Sequence, residues 1–423
     1  MSPLPQELVD IVVDNLRDDI PSLKSCAFAA RTFLTSARCH IFRRIEIAPP
    51  KPKTTPSSSP CQNLLALLTS SPHLPPLVEE LCIVSMGSSS NEILEPDKTS
   101  SIIKGPRSWI MTDDSLSLIL PLLNLKRISL IENASPWGAA VRWNDVPYPL
   151  YTALTATFCS PSLKAIHLRG IIIDSPAQLL ALFRDAASLT ELSLSRVRFT
   201  ETLPAHTASL WPDLDARPWR PRLRTLLLSD QPKTGPLCEY LSSPGIDLAD
   251  VKVLTVATYQ PESRNIITQA ASTVEHLRLL YTPSGAYTSI FNNSTLRSIH
   301  IFAIWRWLFR AIHSFFRSFT DESHLEVVVF EGLHPQSGSD GDDVGLRGLS
   351  ELDAAIDAAI ERHFHSLETV EIQRTLYLNC DRLRSFEDWS VTMREALPSL
   401  AARGILRLKE NRVPNNGVHH GFE

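Results

Sequence analysis

A short apolar pattern recurs along most of this chain and limits what the chain can fold into. The pattern is an apolar residue, two others, an apolar residue, one other and a final apolar residue, as in Leu125-Lys-Arg-Ile128-Ser-Leu130. Its last three positions alternate, which is the two-residue period of a β-strand. A looser first copy has Leu81 in the middle, and nine cleaner copies follow. The middle residues of those nine copies are Ile128, Ile166, Leu192, Leu226, Leu254, Leu277, Ile299, Val328 and Val370.

Helical patterns lie between several copies, and the combination predicts the architecture. Successive middle residues from Ile128 onward are 22 to 42 residues apart. Apolar spacing indicates helices at 177–187, 353–364 and 386–397, and residues 404–408 are predicted to form a closing strand. Strand plus helix at such intervals is typical of a solenoid. An ordinary α/β protein with short apolar strands is the alternative, and the number of copies favours the repeat.

The first 47 residues have a different pattern, which predicts three short helices. Pro5 suits the start of a helix, and Leu8, Ile11, Val12 and Leu16 follow at the spacing of one helical face. The inward residues expected for the next two helices are Leu23, Cys26, Ala27 and Ala30, then Phe33, Ala37 and Ile41. About 45 residues bury too little surface to be stable alone, so we expect this segment to need a partner or a docked neighbour.

Residues 4–43 match a known family motif. They resemble the F-box, in which a three-helix unit docks onto the Skp-type adaptor of cullin–RING ubiquitin ligases. The matching residues are Leu4, Pro5, Glu7, Leu8, Ile11, Leu16, Leu23, Cys26, Arg31, Thr32 and Phe33. The sequence departs from the family at Phe33, where the motif more often has Trp.

The resemblance implies an adaptor-binding role for part of this set. The residues that match family positions in the adaptor interface or in the core of the box are Leu4, Pro5, Leu8, Ile11, Leu16, Leu23 and Cys26. The sequence leaves open which of the two roles each residue has.

The repeats resemble leucine-rich repeats in a degenerate form. Only the copy at Leu125 extends to the asparagine of that family, at Asn133. The expected fold class is therefore α/β, with an N-terminal three-helix F-box followed by an irregular leucine-rich-repeat-like solenoid. The expected domains are a 1–47 F-box, a 48–62 Pro/Ser-rich linker, a 63–413 repeat domain that binds a target protein and a 414–423 disordered tail.

Composition argues against several classes of function. The chain of 423 residues has a formal net charge of −5, without the basic excess of a general nucleic-acid binder. No run of about 18 uncharged apolar residues predicts a membrane span, and Pro3, Pro5, Glu7 and Asp10 are unlike a secretory signal. The 7 cysteines are scattered without a Cys-x-x-Cys pair. We therefore expect reduced thiols and a cytoplasmic or nuclear protein without nucleic-acid or membrane partners.

We find no sequence motif for catalysis or for a cofactor. Phosphate-binding, zinc-protease and nucleophile-elbow patterns are absent, and the acidic stretch 339–343 lacks the ligand pattern of a calcium loop. His363 and His365 have no cysteine or carboxylate neighbours at ligand spacing. We therefore expect no metal, no cofactor and no enzymatic activity.

Two other patterns have both a structural and a functional interpretation. His167 and His300 fill the polar slot between strand apolars, either as exposed strand residues or as part of a partner-binding face, and we favour exposed strand residues. Residues 305–319 carry an aromatic stripe opposite arginines, which suits a membrane surface or the core side of a repeat helix. Their place directly after a predicted strand favours core packing.

Two function hypotheses follow. The resemblance implies a substrate-recruiting subunit of a Skp–cullin–F-box E3 ubiquitin ligase, which binds the Skp-type adaptor through the helices and a target protein through the repeats. The alternative is a non-catalytic repeat scaffold whose F-box-like helices only cap the solenoid. The proline-rich segment 48–62 argues against a cap, because a cap joins the first repeat closely.

Overall fold

The fold of the protein, known from a computed structural model, is α/β. Parallel strands form a large sheet, and helices lie between successive strands of the chain. This confirms the fold class at the level of helices and parallel strands. The chain divides into two compact units, residues 1–191 with 197–201 and residues 192–196 with 202–423. The structure describes residues 5–49, 59–85, 108–132, 141–200, 219–229, 235–242, 246–257, 263–280, 295–304, 308, 312–313, 315–316, 323–333, 349–377 and 385–413.

Helices and strands follow one another along the described residues. In chain order the helices are α1 Gln6–Asp14, α2 Ile20–Ala29, α3 Arg31–Arg43, α4 Pro60–Ser70, α5 Ser115–Ile119, α6 Tyr148–Phe158, α7 Pro176–Phe183, α8 Gly235–Leu241, α9 Ser263–Ala270, α10 Leu349–His363, α11 Phe386–Ala396 and α12 Pro398–Ala402. The strands are β1 Arg44–Ile47, β2 Glu80–Ser85, β3 Arg127–Glu132, β4 Val141–Arg142, β5 Ala165–Arg169, β6 Ile171–Ile173, β7 Glu191–Ser195, β8 Arg198–Phe199, β9 Thr225–Ser229, β10 Val253–Ala257, β11 His276–Leu280, β12 Ser298–Ile304, β13 Val327–Leu333, β14 Thr369–Tyr377 and β15 Leu406–Val413.

In the first unit the repeat residues pair across neighbouring strands. β1, β2, β3 and β5 run in this order and are parallel. Leu81 pairs with Ile128, and Ile128 pairs with Ile166. All three side chains are at most 1% exposed. Alternate residues of a strand face the same side, so the repeat residues form one buried row. A smaller parallel sheet contains β4, β6 and β8.

The second unit has the same arrangement with more strands. β7 and β9 to β15 follow one another in sequence order. The middle residues of the repeat again pair in register, namely Leu226, Leu254, Leu277, Ile299, Val328 and Val370. They are at most 3% exposed. One sheet face of this unit is therefore buried by the repeat residues, and the alternate residues lie on the opposite face, which we call the alternate face.

The N-terminal helices run directly into the sheet. α3 ends at Arg43 and β1 begins at Arg44. Glu79, just before β2, donates its backbone N–H to the carbonyl of Arg43 at 2.9 Å. Four residues of the expected F-box segment therefore form the first strand of the sheet, because the alternating Ile45 and Ile47 pair with the strand pattern of β2.

The proline-rich segment lies after β1 rather than between the helices and the sheet. Its last residues form the first turn of α4, where Ser59 Oγ accepts from the Gln62 N–H at 3.0 Å and Gln62 Oε1 accepts from the Ser59 N–H at 3.1 Å. This reciprocal cap satisfies two backbone donors that the helix itself leaves unpaired. Residues 50–58 of the expected linker and the expected tail 414–423 lie outside the described residues.

Aromatic side chains complete the core of the second unit. Phe316 lies 6.0 Å from Phe330 of β13 and 5.6 Å from Phe364, measured between ring centroids. Leu308 and Ile312 are also at most 1% exposed. For these residues the predicted core packing of the stripe at 305–319 is confirmed. The other members of that stripe, Trp305, Phe309 and Phe319, lie outside the described residues.

Candidate functional site

Helix α1 has two apolar faces, and only one of them is packed. Val9 and Val13 are at most 1% exposed, whereas Leu8, Ile11 and Val12 are 49%, 56% and 50% exposed. At 3.6 residues per turn the mean directions of these two sets lie roughly 125° apart. We call Leu8, Ile11 and Val12 the open face of α1.

The packed face of α1 contributes to a small core shared by the three helices. The buried centre of this core is formed by Val9, Val13, Leu23 and Ala37, and the residues packed around it are Leu16, Ala27, Phe33 and Ile41. Full burial of a Val or Leu side chain contributes about 1.5–3 kcal/mol. A core with so few members is small even for a segment of this length.

Hydrogen bonds fix α1 on α3 beside this core. The hydroxyl of Ser36 donates to Asp10 Oδ1, which also accepts from the Gln6 side chain at 2.8 Å. His40 Nε2 lies 2.8 Å from Asp14 Oδ1. The hydrogen bond from Ser36, followed by that from Gln6, lowers the pKa of Asp10. These contacts determine which side of α1 is turned outward.

Helix α2 begins at a side-chain cap and also exposes apolar residues. Asp19 accepts from the Ser22 N–H at 3.1 Å, which satisfies a free donor of the first turn. Ile20 is 38% exposed and Phe28 is 90% exposed. Of the 10 large hydrophobic side chains that are exposed among the described residues, 5 lie between residues 8 and 28. Such a concentration is typical of an interaction site, whereas single exposed apolar residues are common.

The structure divides the predicted site residues between surface and core. The exposed ones are Pro5, Leu8 and Ile11, and those of the helical core are Leu16 and Leu23. Cys26 is half-buried, and Leu4 lies outside the described residues. The prediction that Leu16 shares a helical face with Leu8 and Ile11 was wrong. The helix ends at Asp14, and Leu16 follows in a turn in which its N–H donates to the Val13 carbonyl at 2.9 Å.

Three further residues belong to this exposed set and were not among the predicted site residues. They are Val12, Ile20 and Phe28. Val12 shares the helical spacing of Leu8 and is found by the same argument. Phe28 lies about 140° from Leu23 around α2. An aromatic residue that falls off the packed stripe of a short helix is a signal that the sequence does contain.

On the sheet of the first unit, three polar side chains from different strands meet. Arg127 donates from Nη1 and Nη2 to the two carboxylate oxygens of Glu191, both at 3.1 Å. His167 Nε2 lies 2.7 Å from Glu191 Oε1. The hydrogen bond with His167, together with the charge of Arg127, lowers the pKa of Glu191. The charges of Arg127 and Glu191 therefore compensate one another.

Both strand histidines differ from the prediction. His167 and His300 are 30% and 24% exposed, so neither is a freely exposed strand residue. Each lies against a glutamate, His167 against Glu191 and His300 Nε2 at 2.9 Å from Glu331 Oε2. The reason is that the partner carboxylate comes from a neighbouring strand, which a pattern within one strand does not contain.

Comparisons with known proteins do not assign this site. A search with models of protein families matched none of them to the chain, and a search of curated proteins found no similar sequence. In the ranges that the structure describes, no helix has the length and apolar content to cross a membrane. The same described residues contain no group of three or more His, Cys, Asp and Glu side chains placed to hold a metal ion.

Proposed function

We propose that this protein is an F-box protein that recruits a target protein to a Skp–cullin–F-box E3 ubiquitin ligase. In this proposal the open face of α1, with Phe28 and Ile20 of α2, binds a Skp-type adaptor. The repeats hold the target. The observation that carries the proposal is the half-exposed apolar face on a helix whose opposite residues are fully packed.

Physical chemistry favours an external partner for this face. Leu8, Ile11 and Val12 together leave about half of their surface in water. Burying one such side chain contributes up to about 1.5–3 kcal/mol, and each 1.4 kcal/mol is about tenfold in affinity. The buried core beneath them fixes their positions before a partner arrives, which lowers the entropy cost of binding. No catalytic role is proposed, because ubiquitin transfer would belong to other subunits.

A scaffold without ligase association is the second candidate. It is favoured by the direct passage from α3 into β1, which pairs in parallel with β2. Helices joined so closely to the first strand fit the requirement that the end of a repeat array be covered. The scaffold gives no reason for the open face of α1, however, because a cap turns its apolar residues toward the repeats.

Adaptor binding separates the two candidates. We expect the full chain to co-elute with a purified Skp-type adaptor in gel filtration at micromolar concentration. Ile11→Asp should abolish co-elution, because a carboxylate placed in an apolar interface loses its hydration without gaining a partner. The matched control is Leu118→Asp on α5, since Leu118 is 58% exposed and Ile11 is 56% exposed.

The controls decide between loss of binding and loss of folding. Both variants should keep the circular dichroism spectrum and melting temperature of the wild type, because both positions are exposed. Wild-type protein that does not bind the adaptor would contradict the ligase proposal and favour the scaffold. Equal loss of binding in the Leu118→Asp control would contradict the assignment of the site to α1.

A further inference from the structure

The alternate face of the sheet in the second unit carries two rows of side chains in register. The first row consists of Arg278, His300, Val329, Glu371 and Arg407, on β11 to β15. The second row consists of Leu280, Phe302, Glu331, Gln373 and Lys409 on the same strands. Paired residues of parallel strands lie on one face, about 4.8 Å apart, so the first row spans roughly 19 Å.

A buried carboxylate fixes the end of the first row that contains Arg278 and His300. Glu331 is 1% exposed, and its Oε2 lies 3.5 Å from Arg278 Nη2 and 2.9 Å from His300 Nε2. Thr375 donates its hydroxyl to Glu331 Oε1 at 2.8 Å. Arg278 and His300 remain 21% and 24% exposed. Glu331 therefore holds both side chains in place while part of each faces solvent.

The other end of the rows is also basic. Arg407 and Lys409 of β15 are exposed, and neither has an ion-pair partner among the described residues. Within these two rows, Glu371 is the acid that retains contact with solvent, because Glu331 is buried. The accessible charges of this face are thus mainly positive, in a chain whose net charge is −5.

We propose that this face binds an acidic segment of a partner protein, with carboxylates of the segment placed against Arg278, His300, Arg407 and Lys409. The inference deepens the proposed function by naming the chemistry of the target, and only the partner's role as a ligase target rests on that function. A span of roughly 19 Å corresponds to about six residues of extended chain at about 3.3 Å each.

The composition of the face favours a protein over a nucleic acid. Val329 lies within the first row, and Val327 lies on the same face of β13; both are half-buried, so they offer aliphatic contact. Nucleic-acid surfaces combine basic residues with accessible aromatic rings for stacking, whereas Phe302 on this face is only 3% exposed.

The test uses the full chain and a defined probe. A fluorescent decapeptide of alternating glutamate and serine is titrated with the protein, beside a decapeptide of alternating glutamine and serine and a single-stranded DNA of ten thymidines. We expect the glutamate peptide to bind at least about tenfold more tightly than the glutamine peptide at low salt, and to weaken as salt screens the charges. Tighter binding of the DNA than of the glutamate peptide would overturn the proposal, as would equal binding of the two peptides.

Two matched double variants locate the site. Arg407→Glu with Lys409→Glu should weaken binding of the glutamate peptide by about tenfold or more, because attraction becomes repulsion. Since glutamate is also charged, the edge strand β15 keeps its protection against pairing with other chains. Arg362→Glu with Arg394→Glu makes the same charge change at exposed positions of α10 and α11, outside the sheet. This control should stay within about twofold of the wild type, and an equal loss there would overturn the proposal.

A third variant tests the role of this face, and the adaptor assay separates failure of this inference from failure of the ligase proposal. Glu371→Gln removes the accessible acid of the rows and should tighten peptide binding about two- to threefold, whereas weaker binding would contradict the role of this face. Failure of peptide binding in a protein that still binds the adaptor contradicts this inference alone. Peptide binding in a protein that ignores the adaptor contradicts the ligase proposal alone.

Discussion

The N-terminal helices and the strands that follow them differ in how far their apolar side chains are exposed to solvent. In the strands of the first unit, Leu81, Ile128 and Ile166 are at most 1% exposed and pair in register, so they form one row on the buried face of the sheet. In α1, Leu8 and Ile11 are about half exposed although Val9 and Val13 beside them are buried. The repeat residues of the strands are thus buried within the chain, whereas α1 leaves Leu8, Ile11 and Val12 about half exposed.

The largest expected effect separates the two faces of α1. Val13→Asp places a carboxylate in the helical core and should lower the free energy of unfolding of the helices by about 3 kcal/mol or more. Ile11→Asp should change it by less than about 0.5 kcal/mol, because the side chain stays in water. Urea unfolding followed by circular dichroism measures both. A similar loss in the two variants would show that the open face of α1 is packed in solution.

An intermediate effect concerns how closely Gly170 packs against the backbone of Glu132. Gly170 has a φ of +72°, and a Cβ atom there would lie 2.6 Å from the Glu132 carbonyl oxygen. Gly170→Ala should destabilise the protein by about 2–4 kcal/mol, since both the backbone conformation and the contact are unfavourable.

The control for this substitution is Gly404→Ala. Gly404 has a φ of +71° but no heavy atom within 4 Å of an added Cβ. Gly404→Ala should therefore lower the stability only by the cost of the left-handed backbone conformation, about 1–2 kcal/mol. Thermal melts of both variants measure the difference in stability. Equal losses of stability would mean that the backbone near Glu132 moves away from the added Cβ atom at little cost.

The smallest effect tests whether the charges on the strands serve folding. The pKa of Glu191 is lowered by His167 and Arg127. Its stabilising contribution is therefore present above the unfolded pKa of about 4.3 and is lost as the pH falls through the lower folded value. Glu191→Gln should cost less than about 1 kcal/mol at pH 7 after screening by solvent. The difference from wild type should shrink as the pH falls below about 4.3.

Two readouts check this prediction. Unfolding curves at pH 7 and near pH 3 give the stability difference, and Glu7→Gln, at an exposed position of α1, is the control for loss of one carboxylate. Adaptor binding at pH 7 should be unchanged by Glu191→Gln. A variant that lost adaptor binding while remaining folded would place the partner on the strands instead of the helices.

Much of the strand region could be predicted because its signal is local. Residues such as Ile128 and Leu254 alternate with polar neighbours, and the same template repeats, so both lie in strands as expected. β1 was not predicted as a strand, because its four residues directly follow a helix and form no full copy of the template. The polar contacts of Glu191 and Glu331 were not predictable, since they join residues on different strands.

The helical site shows a different limit of sequence reasoning. Apolar residues occupy more than half of the circumference of α1, so spacing alone does not decide whether Val9 and Val13 or Leu8 and Ile11 are buried. The choice is made by non-local contacts, among them Leu23 and Ala37 in the core and the hydrogen bond from Ser36 to Asp10. Once that choice is known, the exposed set at Leu8, Ile11 and Val12 follows from helical geometry.

The most direct test of the central proposal is a calorimetric titration of the full chain with a purified Skp-type adaptor at several temperatures. We predict a dissociation constant in the micromolar range or below and a negative heat-capacity change, the marker of apolar burial. Ile11→Asp should remove the binding signal, and Leu118→Asp should leave it unchanged. Absence of binding by the wild type, or equal binding by Ile11→Asp, would contradict the proposal that the open face of α1 docks the adaptor.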